Sequence, residues 1–138
     1  MSMKNRLIVA AVIKNGDKIL LGQKPKGRGP YPNTWHIPGG GINPDIENCE
    51  DAILREVKEE TGLEVKNLKR AAWDTDIEPD KNGEPTYYIF LQFMSELAGG
   101  KLKAGDDMQH FEWIGVKDIS QYNLNKPTKN LFKKLGYL

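Results

Sequence analysis

The sequence predicts a mixed α/β domain in which helices cover both faces of a β-sheet. Three observations support this prediction. Apolar, β-branched segments alternate with segments of helical periodicity, without the regular spacing of a doubly wound fold. An Asn15-Gly16 pair separates two apolar runs near the amino terminus, which is a strong hairpin signal. The length of 138 residues suits one domain, residues 1–138, with a sizeable core.

Four elements are predicted before the first long helix. They are buried strands at residues 7–13 and 19–21, a proline- and glycine-rich loop at 23–34, and a short strand at 35–38. The apolar run that opens this segment is too short for a signal peptide, and a second apolar run follows it at once. The three glycines at 39–41 then allow the backbone to approach a ligand closely.

A helix is predicted between Asn48, a good N-cap residue, and Gly62, a natural terminator. Beyond it the pattern returns to that of strands. The predicted elements are strands at 71–77, 86–94 and 111–114, an exposed turn at 78–85, a loop at 98–107, and a terminal amphipathic helix at 128–135 with Leu131, Phe132 and Leu135 inward.

The predicted helix carries three glutamates in an unusual place. At about 100° per residue, Glu56, Glu59 and Glu60 share an arc of roughly 100°, and this arc lies beside the apolar stripe rather than opposite it. Three like charges at the edge of a buried surface repel one another and lose hydration, so they need a positive partner. Arg55 is expected to neutralise one of the three, which leaves a site for Mg²⁺, or alternatively Mn²⁺.

The residues around this arc form the string G-x5-E-x7-R-E-V-x-E-E-x-G-L, from Gly41 to Leu63. Every fixed position of the Nudix box is filled, so the sequence resembles the Nudix hydrolase family. The resemblance implies an α/β/α sandwich with a mixed β-sheet that binds divalent metal and hydrolyses a diphosphate linked to another group, commonly a nucleoside. One departure is a spacing one residue longer than usual between Pro38-Gly39-Gly40 and Glu47.

The same resemblance implies roles for residues of the box. Glu56, Glu59 and Glu60 would ligate the metal, and Glu56 and Glu59 would act in catalysis. A backbone carbonyl at Gly39, Gly40 or Gly41 would help to hold the metal, with Gly40 as our choice. Arg55 would pair with a box glutamate, Glu56 above all, and orient it. Supporting roles in the loop and the helix end would fall to Gly41, Glu47 and Gly62.

A second acidic element, Asp106-Asp107, lies in a glycine-flanked loop before Trp113. Members of the family often bring one more carboxylate to the metals from this loop. The resemblance therefore makes Asp107 a candidate metal ligand or general base, while an ordinary solvated turn is the alternative interpretation.

Cations and aromatic residues near the glycines are candidates for substrate binding. Lys24 and Arg28 could meet a polyphosphate, although scattered charge on a solvated loop explains each of them as well. One or two aromatic residues are expected to line the pocket, from the set Tyr31, Trp35, Tyr87 and Phe93. Trp35 and Tyr87 are our choices, because aromatic residues on strands more often belong to the core. The two histidines are expected to be structural.

The charge balance and the lone cysteine limit the partners and the compartment. With 20 basic and 19 acidic residues, the chain has a net charge of +1 and no global field that attracts nucleic acid or a membrane. Any affinity for anions must be local, and the expected partner is a small nucleotide. Cys49 cannot form an intrachain disulfide and fits a reducing cytoplasm. For the oligomeric state, a monomer and a homodimer are both compatible with the sequence.

Over most of the chain, the sequence is similar to the small bacterial Nudix nucleoside triphosphatases. The similarity rests on the length, the glycines after a tryptophan strand, Asp106-Asp107 before Trp113, and a lysine-rich terminal helix. It implies hydrolysis of a (deoxy)nucleoside triphosphate to the monophosphate and pyrophosphate. One alternative is an ADP-ribose or nucleotide-sugar pyrophosphatase, which Pro79, sixteen residues after Leu63, favours. The other is a non-catalytic nucleotide-binding Nudix domain.

Overall fold

The computed structural model describes residues 3–24, 29–103 and 110–138. In chain order the elements are β1 (Lys4–Asn15), β2 (Lys18–Gln23), β3 (Trp35–His36), β4 (Gly39–Gly41), α1 (Cys49–Thr61), β5 (Leu63–Pro79), β6 (Pro85–Gly100), β7 (His110–Gly115), a 3₁₀ helix (Val116–Gln121) and α2 (Lys126–Lys134). Within the described ranges, no helix combines the length and the apolar character needed to cross a membrane.

The strands form one mixed sheet around β1. The strand order is β3-β2-β1-β6-β5, with β4 paired to β1 and β7 paired to β2 outside this path. β1 and β6 run parallel from the pair Lys4↔Thr86 to the pair Lys14↔Glu96, while the other pairs are antiparallel. Because β6 lies on one side of β1 and β4 on the other, three strands meet side by side in the middle of the sheet.

One helix covers each face of the sheet, and each interface is a separate apolar core. Alternation along β1 sends Val9, Ala11 and Ile13 into the core beneath α1, and Ala10 and Val12 into the core beneath α2. α1 contributes Ala52, Ile53 and Val57 to the first core, and α2 contributes Leu131 and Phe132 to the second. The predicted α/β/α sandwich with a mixed sheet is confirmed.

Helix α1 is fixed at both of its predicted ends. The side-chain oxygen of Asn48 accepts a hydrogen bond from the backbone N–H of Asp51 at 2.8 Å. Gly62 adopts a left-handed conformation with φ of 82°, and its N–H donates to the Lys58 carbonyl oxygen at 3.0 Å. The glutamates in the last turns of α1 therefore project from a rigid support.

Two strands are much longer than predicted. β5 spans Leu63–Pro79 rather than 71–77, and β6 spans Pro85–Gly100 rather than 86–94, so the predicted loop at 98–107 begins inside a strand. Among the described strands β5 pairs with β6 alone, and many of its side chains are exposed. Such a charged edge strand lacks the apolar alternation from which strands are predicted.

The glycines of β4 and the start of α2 also differ from the prediction. Residues 39–41 form a short strand because they pair with β1, although three glycines carry no strand signal. α2 begins at Lys126 rather than at 128, after the N-cap Asn125, whose side-chain oxygen accepts from the Thr128 backbone N–H at 3.0 Å.

Candidate active site

A cavity of about 240 Å³ opens where β4, β1 and β6 lie side by side. Two rows of paired residues form its floor, Gly39–Ala10–Gln92 and Gly41–Ile8–Phe90. Since adjacent strands lie about 4.8 Å apart, Gly39 and Gln92 are roughly 10 Å apart. The cavity therefore extends from the glycines of β4 and Glu60 to β6 and the first turn of α2.

The floor of the cavity is open at the end formed by the glycines of β4, because these residues carry no side chains. A Cβ atom placed on Gly40 would collide with the carboxylate of Glu56, and one placed on Gly41 would lie 2.6 Å from Nη2 of Arg6. At Gly41 the flexible end of Arg6 can move aside, whereas at Gly40 the Glu56 carboxylate is held by Arg55. The close approach of Glu56 to the backbone therefore favours glycine at position 40.

Arg55 is the centre of a charge network on α1. Its Nε and Nη2 atoms donate to the two carboxylate oxygens of Glu47 at 2.9 and 2.6 Å. Its Nη1 atom donates to Glu56 at 2.9 Å and to Glu59 at 3.0 Å, and Nη2 also reaches the Gly41 carbonyl oxygen at 3.1 Å. The expected contact with Glu56 is present. The expectation that Arg55 neutralises only one of the three helix glutamates was wrong, because its planar guanidinium serves two of them at once.

Glu47 ties this network to the loop that precedes α1. Besides Arg55, the carboxylate accepts a hydrogen bond from the backbone N–H of Asn43 at 2.9 Å. These bonds, that of Arg55 first, lower the pKa of Glu47 to about 2. Glu47 is therefore a permanent anion near neutral pH, and it fixes the position of the guanidinium that orients Glu56 and Glu59.

Glu60 lies in a different environment, at the wall of the cavity. Burial, as the largest cause, raises the pKa of this carboxyl to about 8, while a backbone hydrogen bond from Gly39 acts in the opposite direction. Its Oε1 atom is buried and has no hydrogen-bond partner in the described part of the chain. A buried carboxylate with an unused oxygen requires a cation or a proton. The residues present thus fit a hard divalent cation with oxygen ligands.

The three helix glutamates are not arranged as a finished metal site. Over residues 3–24, 29–103 and 110–138, no group of three acidic, histidine or cysteine side chains is placed to hold an ion. The reason is that Arg55 binds Glu56 and Glu59, whereas Glu60 faces Gly39. For all three to share a cation, Glu56 and Glu59 must reorient. The side chain of Glu59 is 62 % exposed and that of Glu56 only 16 %, so Glu59 has the greater freedom to do so.

The hydrogen-bond pattern of β4 shows which glycine carbonyl is available. In an antiparallel ladder, bonded and non-bonded pairs alternate. The pairs two positions before and after Val9↔Gly40 are bonded: Ala11 N–H donates to Pro38 O at 2.9 Å and Ile42 N–H donates to Leu7 O at 3.1 Å, so Val9↔Gly40 is a bonded pair as well. The carbonyl of Gly40 therefore accepts from Val9, which corrects our choice of Gly40 as a metal ligand. Gly39 belongs to a non-bonded pair, so its carbonyl points away from β1.

Of the charged loop residues predicted to bind the substrate or the metal, one lies in the described part of the chain. Lys24 lines the cavity. Beside it His36 is neutral, because burial lowers its pKa to about 4, and its Nδ1–H donates to the Ile37 carbonyl oxygen at 2.8 Å. Arg28 and Asp107 lie outside the described residues.

The aromatic residues chosen for the pocket do not line it. The ring of Trp35 packs against Tyr122, with ring centroids 5.0 Å apart, within the core beneath α2. Tyr87 points to the other face of β6, because side chains alternate along a strand and its neighbour Tyr88 faces the cavity. The choice of Trp35 and Tyr87 is corrected accordingly. Tyr31, also expected as a candidate, does line the cavity.

Several residues that line the cavity were not predicted from the sequence. They are Arg6 on β1 and, on the β6 and α2 side, Tyr88, Phe90, Gln92 and Asn125. The period-two alternation of β6 carried a signal for three of them, because residues 88, 90 and 92 share one face. A glutamine within an apolar central strand was a second signal, since buried polar side chains need partners.

Fold and site together define a class of protein, the metal-dependent phosphoanhydride hydrolases built as an α/β/α sandwich. The NUDIX domain model matches residues 4–135, and the chain belongs to this family. The chain is also 32 % identical, over 142 aligned residues, to the Nucleoside triphosphatase NudI of Escherichia fergusonii. That alignment covers 99 % of this chain and 100 % of the relative.

Solved structures share the fold at lower sequence identity. A MutT NUDIX hydrolase from Burkholderia pseudomallei superposes with a TM-score of 0.79 at 23 % identity, covering 96 % of this chain and 98 % of that one. The NUDIX domain of Shewanella oneidensis NrtR, solved with ADP ribose, gives a TM-score of 0.73 at 18 % identity, covering 99 % and 88 %. At these sequence identities, both comparisons show that the fold is shared and nothing more.

Proposed function

We propose that the protein hydrolyses (deoxy)nucleoside triphosphates to the monophosphate and pyrophosphate, with Mg²⁺ bound beside α1. The observation that carries this proposal is a buried oxygen of Glu60 that has no hydrogen-bond partner among the described residues and lies at the wall of a cavity next to glycine backbone. The likeness to a full-length relative named as a nucleoside triphosphatase supports the triphosphate substrate. Mn²⁺ would suit the same oxygen ligands.

We assign the cation to carboxylate oxygens of Glu56, Glu59 and Glu60 and to the carbonyl of Gly39. When bound, a divalent cation neutralises charge that develops on phosphoryl oxygens. Arg55 holds Glu56 and Glu59 on the same side of α1 through the hydrogen bonds at 2.9 and 3.0 Å. In this proposal Arg55 is a positioning residue, since it acts through the two carboxylates.

The reaction forms a bond between a water oxygen and a phosphorus and breaks the bond from phosphorus to the bridging oxygen of the α–β anhydride. A base must accept the proton of the water. Glu59, exposed at the outer end of the Arg55 network, is one candidate. Asp107 is proposed from the sequence as the other. Lys24, on the cavity wall, offers a positive charge to the phosphates.

The cavity has one polar side and one aromatic side, which suits the two ends of a nucleotide. We place the phosphates at Glu60 and the glycines, and the base against the aromatic side, where the rings of Tyr31 and Phe90 contact each other with centroids 6.4 Å apart. The volume of about 240 Å³ lies just below the ~300–1,000 Å³ of sites that enclose a whole ligand. We therefore place the base and sugar inside the cavity and the phosphates at its α1 end, where Glu60 and the glycines line it.

Product analysis tests the proposal. The protein is incubated with Mg²⁺ and a panel of nucleoside and deoxynucleoside triphosphates, ADP-ribose and nucleotide sugars in H₂¹⁸O. The expected products are a monophosphate and pyrophosphate, with the label in one of them. Orthophosphate and a diphosphate as first products would contradict the proposal. Preferential cleavage of ADP-ribose would establish the pyrophosphatase alternative, and nucleotide binding without cleavage would establish the non-catalytic one.

The remaining parts of the proposal concern the whole protein. We propose that residues 1–138 act as one domain, that the working partner is a nucleotide rather than a nucleic acid or a membrane, and that the protein acts in the cytoplasm, where Cys49 stays reduced. Light scattering coupled to size-exclusion chromatography would decide between a monomer and a homodimer.

A further inference from the structure

The sheet face that packs against α1 continues beyond the helix as a surface that no element in the described part of the chain covers. Side chains alternate along a strand, and paired residues lie on the same side of the sheet. Leu91 of β6 marks the boundary, because it still packs against the core beneath α1. We call the continuation the β5–β6 face. Its members are Leu7, Trp73, Thr75, Ile77, Tyr87 and Ile89.

The β5–β6 face is apolar and strongly exposed. Trp73 is 68 % exposed, Ile77 52 % and Tyr87 36 %, and neither apolar core includes any of the three. Since an aromatic side chain presents about 150–250 Å², these three expose roughly 300 Å² together. Leu7 and Ile89 are half-buried and extend the same surface. An apolar patch of a few hundred Å² on a folded protein marks a site of interaction.

The absence of charge on this face limits the kind of partner. Its members include no charged residue, and Thr75 is the one polar member apart from the hydroxyl of Tyr87. The centre of a protein–protein interface is depleted of charged residues and enriched in aromatic ones. A partner that brought a charge to this surface would bury it without compensation. The partner must therefore present an uncharged, apolar surface of its own.

The free edge of β5 does not offer an alternative contact beside this face. The backbone N–H of Thr75 donates to the carboxylate of Asp74 at 2.8 Å, and the N–H of Ile77 donates to that of Asp76 at 2.9 Å. Charged side chains and occupied donors at an edge prevent the addition of a strand from another molecule. A partner therefore packs on the β5–β6 face rather than extending the sheet.

The face is complementary to a second copy of itself. Trp73 projects from it, and beside this ring lies a cavity of about 290 Å³ whose lining includes Cys49, Leu91 and Phe93. In a two-fold dimer both copies use the same patch, so a group that projects from each must find a recess on the same patch of the other. The face has both features side by side. Two chains of net charge +1 also repel each other little.

We propose that the protein forms a two-fold homodimer in which the β5–β6 faces of two copies stack. Trp73 of each copy enters the cavity beside Trp73 of the other. Two sheets that pack face to face lie about 10 Å apart, and the side chains of their inner faces interdigitate. The apolar surface described here forms the centre of an interface that typically buries about 800 Å² on each partner. The inference does not depend on the proposed function.

Analytical ultracentrifugation of the full chain over a wide range of concentrations tests the proposal. The wild type should sediment as a dimer. Trp73→Glu should raise the dissociation constant by about 10³-fold, because loss of a central aromatic residue weakens binding by about 30-fold or more and each dimer loses two. Leu138→Glu is the matched control, since it places the same charge at another exposed apolar residue. Its dissociation constant should equal that of the wild type.

A mixing experiment tests the position of the two-fold axis. Trp73→Glu and Trp73→Lys should each be monomeric, whereas an equimolar mixture should form mixed dimers, because opposite charges then meet where the two rings met. Failure of the mixture to associate more strongly than either variant alone would contradict the placement of Trp73 at the axis.

Two results would overturn the inference as a whole. A wild type that stays monomeric at the highest concentration would leave the face to a different partner. A dimer whose dissociation constant is unchanged in Trp73→Glu would use another surface. Thermal unfolding, followed by circular dichroism, reports whether each variant folds. If Trp73→Glu does not fold, Ile77→Glu and Tyr87→Glu introduce a charge elsewhere on the same face, and each should also weaken the dimer.

Discussion

Replacing Glu60 by glutamine should stabilise the metal-free protein. The change keeps the shape of the side chain and removes a carboxyl whose pKa burial raises to about 8, so the folded protein must take up a proton there near neutral pH. The Oε1 atom of this carboxyl has no partner in the described residues. A buried polar group without a hydrogen bond destabilises by about 1–3 kcal/mol, and by more when it is charged. Because glutamine still leaves a neutral amide there, we expect a gain of about 1 kcal/mol in the free energy of unfolding, or roughly 3 °C in melting temperature.

The same variant should lose its response to Mg²⁺. A cation that binds only the folded state stabilises it by about 2.7 kcal/mol at one hundred times its dissociation constant. Thermal unfolding is measured with Mg²⁺ and with excess chelator, and turnover is measured in parallel. Wild type and Glu64→Gln, a control at an exposed glutamate just beyond α1, should be stabilised by Mg²⁺. Glu60→Gln should not, and its turnover should fall by roughly 10²-fold or more.

Either of two results would refute this reasoning. If Mg²⁺ stabilises Glu60→Gln as much as the wild type and turnover stays within about threefold, Glu60 does not hold the cation. If the metal-free variant melts several degrees below the wild type, the carboxylate is already satisfied in the folded protein.

Three further predictions concern single side chains. Tyr88→Phe removes a buried hydroxyl that has no partner in the described residues, so the melting temperature of this variant should equal or exceed that of the wild type. The control Tyr87→Phe should behave in the same way. A fall of several degrees in Tyr88→Phe alone would contradict the prediction. Asp80, bound to the Lys4 ammonium at 2.7 Å, has its pKa lowered to about 2, so its stabilising effect is complete above about pH 3.8 and lost as the pH falls towards 2. Asp80→Asn should thus lower the melting temperature at pH 7 by more than at pH 2.5, and calorimetry at both values checks the difference. Arg55→Lys should reduce kcat about tenfold or more with little change in KM, because an ammonium cannot serve the same four acceptors; wild-type kcat would exclude the positioning role.

The parts of the fold that could be predicted are those with a local signal. The caps Asn48 and Gly62 and the apolar stripe between them determine α1 within a short stretch of sequence, so its bounds are correct to the residue or nearly so. β5 has no such signal. It is an edge strand in the described sheet. Its many charged side chains are compatible with a strand, but they lack the alternation of polar and apolar residues from which a strand is predicted.

The candidate site also combines residues that a local signal predicts with residues that only long-range strand pairing brings together. The three glutamates follow from spacing on one helix, whereas the wall at Gln92 depends on the parallel pairing of β1 with β6, which joins Ala10 to a residue 82 positions away. Periodicity carries no information about that register. The availability of the Gly39 carbonyl, and not that of Gly40, depends on the phase of the hydrogen bonds between β4 and β1, which is also a property of the assembled sheet.

The glycine end of the cavity floor limits how a protein with this site can diverge. At Gly40 any larger residue displaces the Glu56 carboxylate that Arg55 holds, so substitution there disturbs the charge network on α1. The walls carry no such restriction, since Tyr88, Gln92 and Asn125 belong to β6 and the start of α2 and touch neither α1 nor the glycines in the hydrogen bonds described. If the proposed function holds, base preference can therefore be altered by changes at one end of the cavity while Glu60 and the glycines at the other end are inherited unchanged. A library aimed at a new nucleotide would vary the walls and leave residues 39–41 and α1 as they are.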